Sequence, residues 1–164
     1  MEYCTEQRAG LRFGEEALTP ELTEALIRLS ADWEAEASCW GYRKNEPSDI
    51  EGNRVFLARD GQRICGYLFG HLEQAERATS IMPDGTPYFE VEELYVCPAD
   101  RSRGVGRRLF ALAEEAAAGE ADFLMLSTAT KNWRAILHFY VEELGMEFWS
   151  ARLFKPIGPK AKRK

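Results

Sequence analysis

Apolar residues recur along the chain with either helical or strand periodicity, and this pattern predicts the order of its elements. Residues 7–16 predict a short first strand. Residues 19–37 predict a helix, because Thr19 is a suitable cap and Pro20 is tolerated in a first helical turn. Residues 39–53 are aromatic and polar, and they fit either a short second helix or a loop. The first helix is expected to bury a stripe made of Leu22, Leu26, Leu29 and Trp33.

The rest of the pattern is richer in strands. Residues 54–72 predict a β-hairpin that turns at Asp60 and Gly61, and residues 73–87 form a polar connection with a second Asp-Gly pair. Residues 88–98 predict a strand, and residues 103–119 predict a helix. Residues 121–128 predict an apolar strand of the buried type. Residues 132–145 predict a last helix that stops at Gly145, and residues 146–157 predict a closing strand.

The resulting order of elements is β-α-(α)-β-β-β-α-β-α-β, without an internal repeat. Strands interleaved with helices predict an α/β fold, in which a mixed sheet carries helices on both faces. A length of 164 residues is that of one domain, so we assign residues 1–164 to a single domain. Its basic end, about residues 156–164, is expected to be a flexible tail.

Composition predicts a soluble protein. Hydrophobic residues make up 45% of the sequence, yet no apolar run approaches the ~20 residues that cross a membrane. The first residues lack the apolar core of a signal peptide. The four cysteines are not spaced for a zinc site or a disulfide framework, so we expect reduced thiols, no bound metal and a cytoplasmic location. The net charge of −6 argues against nucleic acid as a partner and is compatible with a cationic substrate.

Arginine and glycine gather at residues 101–110, RSRGVGRRLF, between a predicted strand and a predicted helix. The first turn of a helix leaves backbone N–H groups without partners and carries positive potential. Gly104 and Gly106 let the backbone approach a bulky anion closely. These features predict a phosphorylated ligand, in particular a pyrophosphate. Donor forks that suit phosphate are offered by the side chains of Arg101, Arg103, Arg107 and Arg108.

This Arg-Gly turn matches neither of two common phosphate-binding motifs. The spacing of a P-loop is absent. The residue three positions after Gly106 is Leu109, where a dinucleotide fingerprint has Gly or Ala. A solvated helical turn is the remaining alternative, but cations at a helix N-terminus oppose the helix dipole, and this penalty favours a ligand.

The sequence R-x-x-G-x-G after ELYV resembles the acetyl-CoA-binding motif of the GCN5-related N-acetyltransferases, the GNAT family. Residues 132–148, NWRAILHFYVEELGMEF, look like the second signature of that family, and the resemblance covers the chain from about Arg54 to Phe154. It implies the GNAT (acyl-CoA N-acyltransferase) fold, with a mixed, mostly antiparallel sheet and helices on both faces. It also implies acetyl-CoA as the co-substrate and an amine as the acceptor, whose pocket is shaped by residues before Arg54.

The resemblance further implies where the co-substrate binds. Backbone groups of Leu94, Tyr95 and Val96 would pair with the pantetheine arm as an added strand does. The pyrophosphate would be held by the amides of the Arg-Gly turn, which belong to Arg101, Ser102, Arg103, Gly104, Val105, Gly106 and Arg107.

The second signature would supply the other side of the co-substrate site. Asn132 would contact the pantetheine, and the helix after it, which includes Ala135 and Phe139, would line that side. The acetyl group would lie in the gap where the strands that end at Val96 and near Ser127 separate.

Acetyl transfer needs a group that takes a proton from the amine, because a lysine-like amine has a pKa of ~10.4 and is protonated at neutral pH. Glu92 and Glu93 lie on the strand that leads to Val96. Strand alternation predicts that their side chains point to opposite faces, so that at most one faces the acceptor. The resemblance favours Glu92 as the base, and the alternative is that both are structural or solvated carboxylates. Backbone N–H groups near Val96 would stabilise the oxyanion of the tetrahedral intermediate.

The departing thiolate needs a proton in turn. A thiol has a pKa of ~8.5 and a phenol one of ~10, so a tyrosine can supply that proton. Tyr140 matches the position of the acid proposed for the family. It also shares a helical stripe with Ile136 and Leu144, so packing is the alternative role, and the two roles are compatible because the ring can pack while the hydroxyl reaches the sulfur.

Several remaining residues carry weaker signals. His71 and His138 are expected to be structural or surface residues, and Cys97, beside the Arg-Gly turn, is not expected to act as an acetyl-cysteine relay. A plain surface loop and a pocket for a cationic acceptor account equally well for the aromatic and acidic residues Trp40, Tyr42, Glu46, Asp49 and Glu51.

The sequence therefore predicts an N-acetyltransferase that acts directly on a small-molecule or peptide amine. The alternative is a non-catalytic acyl-CoA-binding or regulatory module, which would keep the Arg-Gly turn without needing Glu92 or Tyr140. A nucleic-acid-binding domain is disfavoured by the net charge, and no membrane partner is expected. Exposed edge strands and the apolar closing strand favour a homodimer, as in many members of the GNAT family, which the sequence resembles.

Overall fold

A computed structural model describes residues 10–78 and 80–157 of the chain. The strands are β1 (Arg12–Glu16), β2 (Arg54–Asp60), β3 (Arg63–Gln74), β4 (Pro87–Val96) and β5 (Phe123–Leu126). The helices are α1 (Pro20–Glu36), α2 (Pro47–Ile50), α3 (Val105–Ala117) and α4 (Trp133–Leu137), and α4 continues as a π-helical turn over His138–Glu143. Most of the predicted basic tail lies outside the described residues.

Local signals in the sequence start α1 and turn the β2–β3 hairpin where they were predicted to. The Thr19 hydroxyl accepts a hydrogen bond from the Leu22 amide at 3.1 Å and so caps α1, with Pro20 in the first turn. The turn between β2 and β3 uses Gly61 at a φ of 60°, which a residue without Cβ adopts readily. The segment 39–53 forms only the short helix α2, one of the two alternatives for this stretch.

The five strands form one sheet in the order β1-β2-β3-β4-β5. The first three pairs are antiparallel, and only β4 and β5 run parallel, which confirms a mixed, mostly antiparallel sheet. Alternate residues of β2 face opposite sides: Val55 and Leu57 pack with α1, whereas Phe56 and Ala58 pack with α3. The sheet therefore carries a helix and an apolar cluster on each face, as predicted.

A β-bulge interrupts the pairing of β3 with β4. Phe69 is opposite Glu93 and Gly70 is opposite Val91, so Glu92 is the extra residue on β4. Such a residue changes the side of the sheet to which the following residues point. Before the bulge, Val91 packs in the α3 cluster; after it, Tyr95 packs in the α1 cluster. The expectation that Glu92 and Glu93 point to opposite faces was therefore wrong, because strand alternation does not continue through a bulge.

The C-terminal part of the chain differs most from the prediction. β5 is an edge strand rather than a buried one, and its first residue, Phe123, is 43% exposed. The closing strand predicted over residues 146–157 was wrong, because this segment forms no strand. It has the apolar composition of a strand, but composition does not supply a hydrogen-bonding partner, and its backbone pairs with no strand in the part of the chain that the structure describes.

Candidate active site

The loop between β4 and α3 is anchored by a buried carboxylate. Asp100 is 1% exposed, and its two oxygens accept hydrogen bonds from the Arg63 guanidinium of β3 at 2.6 and 3.0 Å. Arg103 adds a third bond at 2.9 Å. The hydrogen bonds from Arg63 lower the pKa of Asp100, so the carboxylate stays charged and fixes the Arg-Gly turn to the sheet.

The backbone of this turn leaves the first amides of α3 without a capping group. Ser102 and Gly104 both adopt left-handed conformations, with φ of 61° and 77°. Gly104 precedes the helix and offers no side-chain cap, and the first helical hydrogen bond runs from the Arg108 amide to the Gly104 carbonyl. Among the described residues no acceptor takes the amides of Val105, Gly106 and Arg107. Three convergent N–H groups at a helix N-terminus form a site that suits a phosphate.

The sequence indicated that the arginine side chains together project toward a ligand. In the structure they do not. Each is paired with a carboxylate at 2.8 to 3.2 Å: Arg101 with Glu36, Arg103 with Asp100, Arg107 with Glu143, and Arg108 with Glu115. These carboxylates offset the repulsion between the guanidinium groups and the helix dipole, a compensation that the local sequence does not reveal. The free amides, more than the guanidinium groups, are thus the feature of this turn that suits an anion.

The edge of β4 that faces β5 is open over its last five residues. β4 pairs with β5 only from Tyr88 to Val91, so the two strands separate after that point. On the opposite side, the Cys97 amide donates to the Cys65 carbonyl of the neighbouring chain segment at 2.8 Å. Backbone groups alternate in direction along a strand, so those of Leu94 and Val96 point into the gap.

Two details modify the predicted pantetheine contacts on β4. By the same alternation, the backbone groups of Tyr95 point toward β3, opposite Tyr67, and not into the gap. The Val96 carbonyl already accepts a hydrogen bond from the Arg101 Nε at 2.9 Å. Leu94 and the Val96 amide therefore remain as the backbone groups that an extended ligand can reach.

The second wall of the gap comes from the helix after Asn132. Gly106 lies against it so closely that an added Cβ would be 3.3 Å from the Phe139 ring and 3.6 Å from Val96. Phe139 therefore lies beside the Arg-Gly turn, whereas the side chains of Asn132 and Ala135 are exposed. The chain changes from α- to π-helical hydrogen bonding at His138, a change that is frequent at functional sites and was not predicted.

Tyr140 lies in this π-helical turn. Its ring packs against the α3 cluster, with Phe110 and Phe139 at 6.2 and 5.1 Å between ring centroids. Burial raises the pKa of Tyr140 to about 12, with a smaller contribution from the nearby Cys39 thiol. The phenol therefore keeps its proton at neutral pH, so packing and proton donation are compatible here.

A cavity of about 740 Å³ lies on the α1 side of the sheet at the bulge. Glu92 and Glu93 both line it, together with Tyr42 from the loop before α2 and His71 from β3. Of the residues weighed for an acceptor pocket, Tyr42, Asp49 and Glu51 line this cavity, and Trp40 and Glu46 do not.

Glu93 is the most constrained carboxylate of the cavity. Its oxygens accept hydrogen bonds from the Tyr67 hydroxyl at 2.7 Å, the Asn45 side-chain amide at 3.0 Å and the Tyr42 hydroxyl at 3.1 Å. Burial raises the pKa of Glu93, and these three donors counteract part of that effect. Burial beside Glu93 also raises the pKa values of Tyr42 and Tyr67, so both hydroxyls remain donors. Glu93 thus joins the loop before α2 to the sheet.

Glu92 is held less tightly than Glu93. Its side chain is 46% exposed, and one oxygen lies 3.8 Å from the Nδ1 of His71. The His71 ring also contacts the Asn53 side-chain oxygen at 2.9 Å and a Glu73 oxygen at 3.1 Å. His71, expected to be structural, is therefore part of the cavity wall.

Glu90, which the sequence did not single out, titrates near neutral pH. It is opposite His71 in the pairing of β3 with β4, two positions before the bulge residue. Burial and the charge of Glu92 raise the pKa of Glu90 to about 7, although His71 acts in the opposite direction. The only sequence signal for this group of carboxylates was the repetition of glutamate in YFEVEELYV. The alternation of a regular strand does not place the side chains of Glu90 and Glu92 beside that of Glu93.

The cysteines and the charged clusters give no sign of other chemistry in the part of the chain that is described. Cys39, Cys65 and Cys97 are unbridged, and burial raises the pKa of the Cys97 thiol, which disfavours the thiolate that an acetyl-cysteine relay needs. No group of three metal-ligating side chains occurs within residues 10–78 and 80–157. None of the described helices is long and apolar enough to span a membrane.

Comparison with solved structures identifies several of the same fold. A transcriptional regulator from Bacillus halodurans C-125 is 21% identical, with a TM-score of 0.66 over 90% of this chain and 100% of that one. An aminoglycoside acetyltransferase from an uncultured soil metagenomic sample is 17% identical, with a TM-score of 0.65 over 91% and 99%. AAC(6')-Iy, in complex with the bisubstrate analogue CoA-S-monomethyl-acetylneamine, is 16% identical, with a TM-score of 0.63 over 91% and 99%.

No curated protein matches the sequence. A sequence model of the acetyltransferase (GNAT) family, however, matches residues 18–146, which is most of the chain and includes the Arg-Gly turn, the bulge and the π-helical turn. This extent of match, with the fold shared with solved acetyltransferases, shows that the chain belongs to the acetyltransferase (GNAT) family.

Proposed function

We propose that the chain transfers the acetyl group of acetyl-CoA to the primary amine of a small cationic molecule. One observation carries the proposal: the free amides that begin α3 continue into an open edge of β4, and that edge ends at a cavity lined by Glu92 and Glu93. An anion site, an extended groove and an acidic cavity thus follow one another along the same strand. A ligand with a pyrophosphate at one end and a reactive acyl group at the other fits this order.

The described residues suit acetyl-CoA in both charge and shape. The amides of Val105, Gly106 and Arg107 would bind the pyrophosphate, and the lack of a side chain at Gly106 lets the Phe139 ring pack closely beside them. The Leu94 backbone groups and the Val96 amide would bind the pantetheine amides as a neighbouring strand does. When bound, acetyl-CoA supplies an acetyl thioester, which an uncharged amine attacks.

Glu92 is the proposed proton acceptor for the acceptor amine. Its carboxylate lines the cavity and is half-exposed, whereas both oxygens of Glu93 already accept hydrogen bonds. Glu93 instead keeps Tyr42 and Asn45 in the wall of the cavity. His71 beside Glu92 offers a route by which the proton leaves for solvent, since the His71 side chain is itself 29% exposed.

Tyr140 is the proposed proton donor to the departing thiol. It follows Phe139, which lies against the Arg-Gly turn, and burial keeps its hydroxyl protonated. No described side chain or backbone group accepts a hydrogen bond from this hydroxyl, so it is available to a bound ligand.

The charge of the cavity supports a cationic acceptor. Glu92, Glu93 and Glu51 line it, and Asp49 does so as well, although the Arg43 guanidinium binds both oxygens of Asp49 at 2.9 and 3.2 Å. Tyr42 adds an aromatic surface, which attracts cations. The aminoglycoside acetyltransferases among the structural neighbours are consistent with such an acceptor, at a level of identity that indicates only the shared fold.

A binding assay combined with a turnover assay tests this function. We expect calorimetry to detect acetyl-CoA binding and thiol release to begin only when an amine is added. Glu92→Gln is expected to lower kcat by about 10²-fold or more without changing acetyl-CoA affinity. Glu73→Gln is the matched control, because Glu73 contacts the same His71 but lies outside the cavity. Binding without turnover across a broad panel of amines would support the non-catalytic acyl-CoA module instead.

A further inference from the structure

The chain that leaves α1 is held at the end of β4 by a cluster of polar side chains. The side chain of Glu36, the last residue of α1, is 23% exposed, and both of its oxygens accept hydrogen bonds from the Arg101 Nη2, at 2.8 and 2.9 Å. The Tyr95 hydroxyl donates to the same carboxylate at 2.9 Å. The Arg101 Nε also donates to the Val96 carbonyl, so Glu36 is fixed at the level where β4 ends.

A few residues later, the same chain is held to the segment that follows β5. The Lys131 amide donates to the Ser38 carbonyl at 2.8 Å, and the Trp40 amide donates to the Ala129 carbonyl at 2.9 Å. The pairing has the antiparallel geometry of two strands. The Trp33 Nε1 of α1 adds a side-chain bond to the Ser38 hydroxyl at 3.3 Å. Backbone and side-chain contacts together therefore fix this stretch of chain.

The register of the sheet places these two anchors on opposite sides of the gap. The last pair between β4 and β5 is Val91 with Leu126. The strands run parallel, so counting three to five positions on gives residues 94–96 on one side of the gap and residues 129–131 on the other. The chain is held to the first stretch at the end of α1 and to the second directly afterwards, and it therefore crosses the gap. We call residues 36–40 the crossing segment.

The crossing is short and its backbone is strained. Only Ala37 separates Glu36 from Ser38, and two residues of extended chain span at most about 7 Å. Ala37 has a φ of 50°, in the left-handed region that residues with a Cβ seldom adopt. Such a conformation persists only where the surroundings impose it. The anchors on the two sides of the gap therefore set the path of the crossing segment.

The crossing segment lies at the place where the thiol is proposed to leave. Cys39 is near enough to Tyr140 for its thiol to contribute to the raised pKa of that phenol. Cys39 follows α1, which packs on one face of the sheet, whereas Tyr140 packs in the α3 cluster on the other face. The two side chains therefore approach each other at the gap.

On its other side the crossing segment borders the acidic cavity. Gly41 and Tyr42 directly follow it and line that cavity. The Tyr42 ring packs on Trp33 at 4.3 Å between ring centroids, and the Trp33 ring stacks on Tyr95 at 5.4 Å. The cavity wall, α1 and the end of β4 are thus packed together, and the crossing segment forms a fixed boundary between the gap and the cavity.

We propose that the crossing segment limits the length of the acyl group that this protein transfers, and that Glu36 is the positioning residue that holds the segment in place. A wall that is fixed on both sides of the gap leaves space for a short acyl group and collides with a longer one, because packed protein groups do not yield freely. The inference rests on the proposed function, since it concerns the acyl group bound in the gap, and it adds the residues that select this group.

A series of acyl-CoA co-substrates tests the wall. With one amine acceptor, we expect kcat/KM of the wild type to fall by about tenfold or more from acetyl-CoA to butyryl-CoA, because two further methylene groups meet the wall. Calorimetry without an amine is expected to give a Kd for butyryl-CoA that is about threefold or more above that for acetyl-CoA.

The outcomes for the wild type separate this inference from the proposed function. Equal kcat/KM for acetyl-CoA and butyryl-CoA would overturn the wall and leave the proposed function intact. Absence of turnover with every acyl-CoA would contradict the proposed function, and the ratio of the two Kd values would still decide whether the wall exists.

Glu36→Gln tests the positioning role. The variant loses the charge that binds Arg101, so the crossing segment is expected to loosen and the kcat/KM ratio of butyryl-CoA to acetyl-CoA to rise by about fivefold or more. A merely structural role would lower turnover with both co-substrates and leave their ratio unchanged. Glu24→Gln is the matched control, because it removes the same charge from an exposed position of α1 and should keep the wild-type ratio.

Cys39→Ala tests the wall without altering its anchor. It removes the thiol beside Tyr140 and gives the acyl group more room, so the same ratio is expected to rise. Cys97→Ala is the matched control, since Cys97 packs in the α1 cluster and should keep the wild-type ratio. An unchanged ratio in Cys39→Ala would overturn the wall, and an unchanged ratio in Glu36→Gln would overturn the role of Glu36.

Discussion

Tyr140 is the residue at which packing and the proposed chemistry are most closely combined. We expect Tyr140→Phe to lower kcat at least about tenfold and to leave the affinity for acetyl-CoA nearly unchanged, because the ring stays and only the proton donor is lost. Steady-state kinetics together with calorimetry would measure both. Tyr88→Phe is the matched control, since Tyr88 packs in a separate cluster beside Met125. Equal turnover in the wild type and in Tyr140→Phe would leave Tyr140 as a packing residue only.

Glu90 gives the protein a pH dependence of known sign. Its pKa of about 7 in the folded chain is well above the value of ~4.3 for a free glutamate, so the folded state holds a proton that the unfolded state has lost between these two pH values. Folding stability is therefore expected to fall as the pH rises from about 4.3 to about 7, and to change no further above that range.

The variant Glu90→Gln isolates this contribution because it removes the titration and keeps the shape. We expect the melting temperature of the wild type, relative to that of the variant, to decrease between pH 5 and pH 8. Other titrating groups are common to both chains and cancel in the difference. If the two melting curves shift in parallel, Glu90 does not titrate in this range in the folded protein.

At the scale of the elements, the bulge in β4 determines how the site is built. Gly70 faces it from β3, and a Cβ on Gly70 would collide with the Glu90 carbonyl and the Phe89 ring. Gly70→Ala is expected to destabilise the fold by about 1–3 kcal/mol and to reduce turnover, because the bulge must shift to make room. Chemical denaturation and kinetics would measure these effects.

Gly14 of β1 provides the control for this substitution. It is also a strand glycine, but nothing lies within 4 Å of an added Cβ. Gly14→Ala is expected to leave turnover unchanged. Stability is expected to stay the same or to rise slightly, because alanine lowers the conformational entropy of the unfolded chain. Equal effects at the two positions would mean that the contact at Gly70, and hence the bulge, has no special role.

The same bulge shows why the sequence predicted some parts of the molecule and not others. The cap at Thr19 and the turn at Gly61 are local signals, so α1 and the β2–β3 hairpin were predicted where they occur. The bulge, the pairing of the arginines with distant carboxylates, and the position of Glu93 depend on contacts between residues far apart in sequence. The predicted strand after Met146 was wrong for the same reason, since its composition carries no information about the partner of its backbone.

At the scale of the whole molecule, the two proposed substrates carry opposite charges and approach different surfaces. The cavity proposed for the acceptor contains the carboxylates of Glu51, Glu92 and Glu93 in a chain with a net charge of −6. Coenzyme A carries phosphates, and it would bind at the turn where the amides of α3 are free. The field of the protein therefore attracts a cationic acceptor to the cavity over distances that salt can screen.

A pair of amines that differ in one charge tests this field. We expect kcat/KM for 1,4-diaminobutane to fall by about threefold or more when salt is raised from about 0.05 to about 0.5 M, and kcat/KM for n-butylamine to fall less, because the second ammonium group doubles the attraction. The change should appear in KM and not in kcat, since screening weakens the approach and leaves the chemistry in the gap unaltered. The same salt dependence for both amines would mean that the cavity does not distinguish a dication from a monocation. Its carboxylates would then serve the reaction and the fold, and not the selection of the acceptor.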